Sequence, residues 1–136
     1  MSAHELERLG AQLAAAHPDA MVRRIRGHKA RTLQAFFDEI AAALQLPLSF
    51  GEDWNALIDV ARDLEISHRG GVVVLVAHAG WLLADQRAER PAFVATMAQL
   101  HAEWRARDLP FQVVLQDSPG GMALLRDFFG DKGTPP

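Results

Sequence analysis

The sequence predicts a small α/β domain in which a few strands form a mostly parallel sheet and helices pack against it. The length of 136 residues suits one domain. Three short segments read as strands, and the segments between them carry apolar residues at helical spacing. Because strands that alternate with helices favour parallel pairing, these observations together predict the α/β class.

The N-terminal part of the chain predicts a helix, a strand and a second helix. Ser2 and the glutamate three residues after it are typical of a capping box, so we expect a helix from there to Ala16. Residues 21–26 predict the first strand. Thr32 is a suitable cap for the next helix, whose apolar residues fall on one side. These residues are Leu33, Phe36, Phe37, Ile40 and Leu44.

A third helix and a buried strand follow. Residues 48–52 form a connecting loop, after which Asp53 is a suitable cap for a helix over residues 54–64. Residues 72–77 are a continuous apolar run, mostly β-branched, which is typical of a strand covered on both faces.

The next segments predict a short helix, a longer helix and the last strand. We expect the short helix over residues 80–89. Pro91 occupies a position in the first turn of the longer helix, which ends near Asp108. Residues 111–115 predict the third strand.

The composition excludes several classes of protein. Because there is no cysteine, the chain has no disulfide, no thiolate metal site and no cysteine nucleophile. A formal charge of −3 argues against a general nucleic-acid binder. The first residues lack the pattern of a signal peptide, and the longest uncharged stretch, residues 70–84, is too short to span a membrane. We therefore expect a cytoplasmic protein that does not bind a membrane or nucleic acid.

The sequence carries no strong signal for an enzyme. No two of the six histidines have the three- or four-residue spacing of metal ligands on one helix face, and neither HExxH nor GxSxG occurs. Gly70 and Gly71 precede a strand, whereas a phosphate-binding glycine loop follows one. We therefore expect no catalytic residue, no metal ion and no cofactor.

The negative charge is concentrated in one part of the chain. The thirty residues from Thr32 to Ala61 contain no lysine or arginine and five acids, whereas the first 31 residues contain six basic and three acidic groups. The five acids are Asp38, Glu39, Glu52, Asp53 and Asp59. Such a segment is either an ordinary solvated face or a surface for a cationic partner.

The helix over residues 54–64 shows how this charge is presented. Its apolar residues, which should face the core, are Trp54, Leu57, Val60, Ala61 and Leu64. Its polar side carries Asn55, Asp59, Arg62 and Asp63, with Ile58 at the border. Asp59 and Asp63 lie four residues apart, so they repel each other slightly and do not stabilise the helix.

One block of sequence is more specific than the charge. The pattern T-x3-F-F-x-E-I-x3-L begins at Thr32, and the pattern L-P-x2-F-G-x2-W-N-A-L-x-D ends at Asp59. Together they resemble the barstar family of ribonuclease inhibitors. The resemblance continues through Trp81 and covers roughly residues 22–115. It places residues 21–116 in a barstar-like domain, residues 1–20 in an N-terminal helical extension and residues 117–136 in a C-terminal extension.

The resemblance implies both a fold and a function. Barstar-like proteins are small α/β domains with a three-stranded parallel sheet. In that family the second helix and the loop before it enter the active-site cleft of a ribonuclease, where a carboxylate takes the position of a substrate phosphate. We therefore expect an intracellular inhibitor that forms a one-to-one complex with a barnase-like ribonuclease or a related nuclease toxin.

The resemblance also implies which residues contact the partner. Asp59 matches the central acid that penetrates the cleft, and Glu103 matches a further acidic contact. Asn55 stands where the family prototype has a second aspartate, and residues 48–51 match the loop that lies across the cleft. The predicted partner-binding residues are Ser49, Phe50, Gly51, Asn55, Ile58, Asp59, Arg62 and Glu103.

Two other functions compete with inhibition. The prototype places tyrosines in the binding loop, whereas this chain has no tyrosine. That difference, together with the added termini, suits a barstar-like interaction module without inhibitory activity. The second alternative is an enzyme that uses Asp59, Asp63 and Arg62 as a metal or acid–base site.

Overall fold

Helices and strands alternate along the chain. The computed structural model describes residues 2–47, 49–64 and 70–118. The helices in these residues are α1 (Ala3–Ala16), α2 (Leu33–Leu44), α3 (Trp54–Arg62) and α4 (Arg90–Arg105), and the strands are β1 (Met21–Arg26), β2 (Val72–Ala77) and β3 (Phe111–Leu115). The α/β class predicted from the sequence is confirmed.

The three strands form one parallel sheet in the order β1–β2–β3. Met21 pairs with Val72 at the amino end of the sheet, and Val72 pairs in turn with Phe111. The central strand β2 is buried along most of its length, as its continuous apolar sequence predicts.

The helices lie on both faces of the sheet. Val74 and Val76 of β2 point into the core that α2, α3 and α4 cover, so Leu75 between them points to the opposite face. On that face Gly10 of α1 approaches so closely that a Cβ atom there would lie 2.8 Å from Leu75 Cδ1. Among the described residues, the fold therefore has three layers, and α1 is the helix on the second face of the sheet.

Aromatic rings fill the centre of the side that α2, α3 and α4 cover. The Phe36 ring lies 5.5 Å from the centroids of Trp54 and Phe93, and the Phe37 ring lies 5.2 Å from Trp54. Such tilted and edge-on contacts are favourable for aromatic pairs. The apolar residues predicted along one side of α2 therefore pack this helix against the rest of the domain.

The helix starts agree with the sequence, and two helix ends differ from it slightly. Ser2 forms the predicted capping box, and the Thr32 hydroxyl accepts the Ala35 N–H at 3.1 Å. α3 ends at Arg62 rather than at residue 64, because Asp63 leaves the helical conformation. α4 ends at Arg105 rather than near Asp108. The final turn of α3 is held by Trp104 of α4 and by Arg107 just after it.

The prediction of a short helix over residues 80–89 is wrong. The segment contains two separate single turns of 3₁₀ helix at its ends, Ala79–Trp81 and Arg87–Glu89. Leu83, between them, has a φ of 57°, which a right-handed helix does not allow. The segment is therefore an irregular loop rather than a helix.

A helix does not form there because other parts of the chain make hydrogen bonds to the backbone groups that a helix would use. The buried Arg90 side chain donates to the carbonyl oxygens of Gly80 at 2.7 Å and Leu82 at 3.0 Å. The Leu83 N–H donates to the Ala30 carbonyl oxygen at 2.9 Å. Apolar spacing cannot reveal these long-range contacts.

Candidate partner-binding surface

The loop between α2 and α3 is fixed by local backbone geometry. Gln45 ends α2 with a φ of 53°, and Glu52 near the start of α3 has a φ of 55°. Between them the Phe50 N–H donates to the Pro47 carbonyl oxygen at 2.9 Å. The described residues of this loop therefore have a defined backbone geometry that leads directly into α3. Leu48 lies outside the described residues.

Phe50 belongs to the core side of this loop. Its side chain is only 9% exposed, and its ring packs edge-on against Phe37 with 5.7 Å between centroids. Ser49 and Gly51 on either side of it are exposed. Of these three predicted contact residues, Ser49 and Gly51 are thus the ones that face solvent.

Gly51 is explained by a close approach rather than by its backbone angle. Its φ lies outside the left-handed region, whereas a Cβ atom there would be 3.3 Å from the Ala56 Cβ in the first turns of α3. A larger residue would press the loop away from the helix. Glycine therefore keeps the loop close to α3.

The amino end of α3 is anchored to its surroundings. The Asp53 carboxylate accepts the Ala56 N–H at 2.7 Å and caps the helix, as predicted. The half-buried Trp54 donates its indole N–H to the Glu89 carboxylate at 3.0 Å. The first turn of α3 is therefore fixed both by its cap and by a link to the segment before α4.

The carboxyl end of α3 is anchored by α4. The indole N–H of the buried Trp104 donates to the Ala61 carbonyl oxygen at 3.1 Å, and the Arg107 guanidinium donates to the Arg62 carbonyl oxygen. These donors satisfy carbonyl groups that a helix end leaves without intrahelical partners. α3 is thus held at both ends, which makes it a rigid element for presenting side chains.

The outer side of α3 carries polar groups beside one apolar residue. Asn55 is exposed, and the Asp59 side chain is 69% exposed. Ile58 between them is half-buried, whereas Leu57 and Ala61 on the opposite side are buried. The predicted division of the helix into an apolar and a polar side is confirmed.

Arg62 joins the two acids that the sequence singled out. Its Nη2 lies 3.0 Å from an oxygen of Asp59, and its Nη1 lies 3.5 Å from an oxygen of Glu103 on α4. The other Glu103 oxygen is buried and has no hydrogen-bond partner among the described residues. Asp59, Arg62 and Glu103 therefore form one charged cluster across two helices.

A second acidic group lies beside the start of α3 and was not singled out by the sequence. The Gln34 amide donates to Asp38 and to Glu52, at 3.1 Å in each case. The spacing of Gln34 and Asp38 is a known helical pair, but nothing in the sequence reveals the link to the loop. The amide thus brings two carboxylates from different elements together.

Glu39 does not belong to this surface. It forms an ion pair with Arg26 at 2.6 Å, and its side chain is only 16% exposed. Burial alone raises the pKa of Glu39, but hydrogen bonds from the side chain and backbone N–H of Arg26 outweigh it, so this pKa lies below its usual value. The acidic residues between Thr32 and Ala61 therefore include a structural acid, Glu39, as well as exposed acids.

Comparison with protein families assigns the chain to a family. A family model described as Barstar (barnase inhibitor) matches residues 20–116, which include both helices of the charged cluster. The chain belongs to the barstar family. No protein with curated annotation matches the chain.

In this member of the barstar family, the candidate partner-binding surface lies within the matched region. Each predicted contact residue from Ser49 to Glu103 lies inside the match, whereas α1 precedes it. Among the described residues, no group of three or more histidine or acidic side chains is placed to hold a metal ion. No helix in the described part is long and apolar enough to cross a membrane.

Proposed function

We propose that the protein is an intracellular inhibitor of a ribonuclease of the barnase type or of a related nuclease toxin. In this proposal α3 and the loop before it bind the active-site cleft of the nuclease. The observation that carries the proposal is Asp59, an exposed carboxylate on a helix held at both ends, in a chain of the barstar family. Residues 21–116 form the inhibitory domain, and the segments on either side are extensions.

The chemistry of a ribonuclease cleft explains why this surface suits it. Such a cleft uses arginine, lysine and histidine to bind a phosphodiester and to stabilise charge in the transition state. A carboxylate pairs with the same cations through charge-assisted hydrogen bonds and offers no bond to cleave. Asp59 is the acid with the largest exposed fraction in the charged cluster, so it is assigned the phosphate position.

The remaining contacts are assigned by their position around Asp59. Ile58 supplies apolar contact area, and Asn55 one turn earlier supplies hydrogen bonds without charge. Ser49 and Gly51 contribute the exposed edge of the loop. The nearby carboxylates of the Gln34 group add negative potential, which steers a cationic partner toward this side.

Affinity capture from the source organism tests the proposal. The wild-type protein and the variant Asp59→Ala are used as bait, and any recovered nuclease is assayed for inhibition. We expect wild type to retain a nuclease and to inhibit it at a one-to-one ratio. Asp59→Ala should weaken inhibition by about 30-fold or more, which corresponds to about 2 kcal/mol at a binding hot spot.

Asp19→Ala is the matched control, because Asp19 is also an exposed aspartate but lies in the turn between α1 and β1. It should inhibit like wild type. Equal inhibition by both variants would remove Asp59 from its proposed role. Recovery of a partner without nuclease activity would contradict the inhibitor proposal itself.

The second candidate function is an interaction module that no longer inhibits a ribonuclease. One observation favours it: the only aromatic ring in the described part of the loop, that of Phe50, is buried. Aromatic residues are among the commonest binding anchors, so the loop offers a weaker anchor than exposed tyrosines would. In that case the captured partner would bind in a way that depends on Asp59 but would cleave no RNA.

A further inference from the structure

A cleft rich in histidine and arginine lies on the side of the sheet that α1 covers. Its volume is about 490 Å³, and it opens between the start of α1 and the carboxyl ends of β1 and β2. Its polar lining residues are His4, Glu7, Arg24, Arg26, His28 and His78. The carboxyl edge of a parallel sheet is where ligands of α/β proteins commonly bind. The size of the cleft is within the range of small-molecule sites.

The charges around this cleft favour an anion. Glu7 is paired with Arg24, and Arg26 is paired with Glu39. A guanidinium has five N–H donors, so both arginines retain donors beyond those that the paired carboxylates accept. The three imidazoles lining the cleft add donors and, when protonated, positive charge.

Two of the imidazoles in the lining of the cleft contact each other. The rings of His28 and His78 meet edge-on with 4.9 Å between centroids. His28 is exposed and His78 is half-buried. His78 has a φ of 52°, a left-handed conformation that costs energy for a residue other than glycine. Strained residues cluster at functional sites, and this backbone conformation occurs here at the contact with His28.

We propose that this cleft binds a phosphate group, either as inorganic phosphate or as a phosphomonoester such as a mononucleotide. Arg24 and Arg26 provide guanidinium donors from β1, and His28 and His78 provide imidazole donors from the loops after β1 and β2. The site does not depend on the proposed inhibition, because α1 lies outside the family match and the cleft contains no residue of α3 or α4.

Protonation of His28 should be coupled to binding. Burial, followed by the neighbouring His78, Lys29 and Arg26, lowers the pKa of His28, so its imidazole is neutral at pH 7 in the empty cleft. A bound dianion favours the imidazolium form, so binding takes up a proton and becomes tighter as the pH falls from 8 to 6. The other charged groups nearby are arginine, lysine and glutamate side chains, whose ordinary pKa values lie outside this range. They are Glu7, Arg24, Arg26, Lys29 and Glu39.

Calorimetric titration of the full chain tests the site with defined probes. Inorganic phosphate, AMP and adenosine are compared at pH 7, and sulfate, whose charge is constant over the range, is compared at pH 6 and pH 8. We expect phosphate or AMP to bind and adenosine not to bind. Tighter binding of AMP than of phosphate assigns the site to monoesters, and equal binding assigns it to free phosphate. Sulfate should bind more tightly at pH 6 than at pH 8, by less than about tenfold, which is the limit set by one unit of pKa change.

Substitutions of residues that line the cleft test whether phosphate binds there. His28→Ala and Arg24→Gln should each weaken phosphate binding by about tenfold, as expected for loss of a hydrogen bond to a charged group. His17→Ala, which changes an exposed histidine outside the cleft, should bind like wild type. Thermal unfolding of each variant confirms that it is folded. Absence of phosphate and AMP binding, equal binding of adenosine and AMP, or unchanged binding by both cleft variants would overturn the proposal.

Discussion

The two sides of the sheet differ in size, packing and charge. On one side three helices bury a set of large aromatic rings and present exposed carboxylates outward. On the other side, within the described part of the chain, α1 covers the sheet through small contacts such as Gly10 against Leu75, beside a cleft lined by histidine and arginine. The family match contains the whole of the first side and none of α1.

This difference indicates that stability and the acidic surface depend on the same three helices. The position of α3 comes from its contacts with α2 and α4, so a shift of this helix would also disturb the main core. The side that α1 covers is not constrained in this way. A second site can therefore be accommodated there without loss of the first.

Truncation of a central aromatic ring should have the largest effect on stability. Phe36 is fully buried and contacts the rings of Phe37, Trp54 and Phe93. Phe36→Ala should lower the free energy of unfolding by about 3–5 kcal/mol, because it removes apolar contacts and leaves a cavity. Denaturant titration followed by circular dichroism measures the change.

The corresponding change on the other side should cost less. Leu6 is the most deeply buried leucine of α1, at 2% exposed, so Leu6→Ala should destabilise by about 2 kcal/mol, at the low end for a buried leucine. A single helix can shift toward the sheet and fill part of the cavity. A loss equal to that of Phe36→Ala in the same titration would show that the two sides contribute equally.

Glu39→Gln should have a smaller effect that depends on pH. Because the pKa of Glu39 is lowered in the folded protein, its pair with Arg26 stabilises the fold above the usual glutamate pKa. That contribution disappears as the pH falls through the lowered pKa. We expect a loss of about 1 kcal/mol at pH 7, the size of a partly exposed charged hydrogen bond, and none under strongly acidic conditions.

Unfolding curves between pH 3 and pH 7 check this prediction. Asp38→Asn is the control, because Asp38 is an exposed acid on the same helix and accepts only from Gln34 in the described structure. It should change stability little at any of these pH values. A difference between wild type and Glu39→Gln that stays constant down to pH 3 would contradict the role assigned to the charge.

Arg62→Gln should change stability least. The Arg62 side chain is 42% exposed, and exposed ion pairs contribute about 1 kcal/mol or less. The effect of Arg62→Gln should appear in binding, because removal of the cation makes the cluster around Asp59 and Glu103 more negative. Association with a cationic nuclease should be faster at low salt, which stopped-flow measurements can detect. A stability loss as large as that of Leu6→Ala would instead make Arg62 a structural residue.

The sequence predicted the elements whose signals are local. Capping by Ser2, Thr32 and Asp53 is visible within four residues, and the apolar run of β2 indicates a strand covered on both faces. The irregular segment before α4 could not be predicted, because Arg90 and the Ala30 carbonyl fix it from a distance. Contacts between side chains of different elements were likewise hidden. The resemblance predicted Asp59 and Glu103 as contact residues, but not the fact that Arg62 bridges them.

The bond between Trp104 and the end of α3 has a consequence during protein synthesis. The two residues it joins, Ala61 and Trp104, are 43 positions apart in the chain, and Glu103 lies beside the tryptophan. A nascent chain that has emerged only as far as β2 contains Asp59 but lacks the indole that holds the end of α3. The surface is therefore completed only after α4 has left the ribosome. In the proposed function, the protein therefore gains its affinity for a nuclease only after α4 has been synthesised, when β1, β2 and α3 are already available to fold.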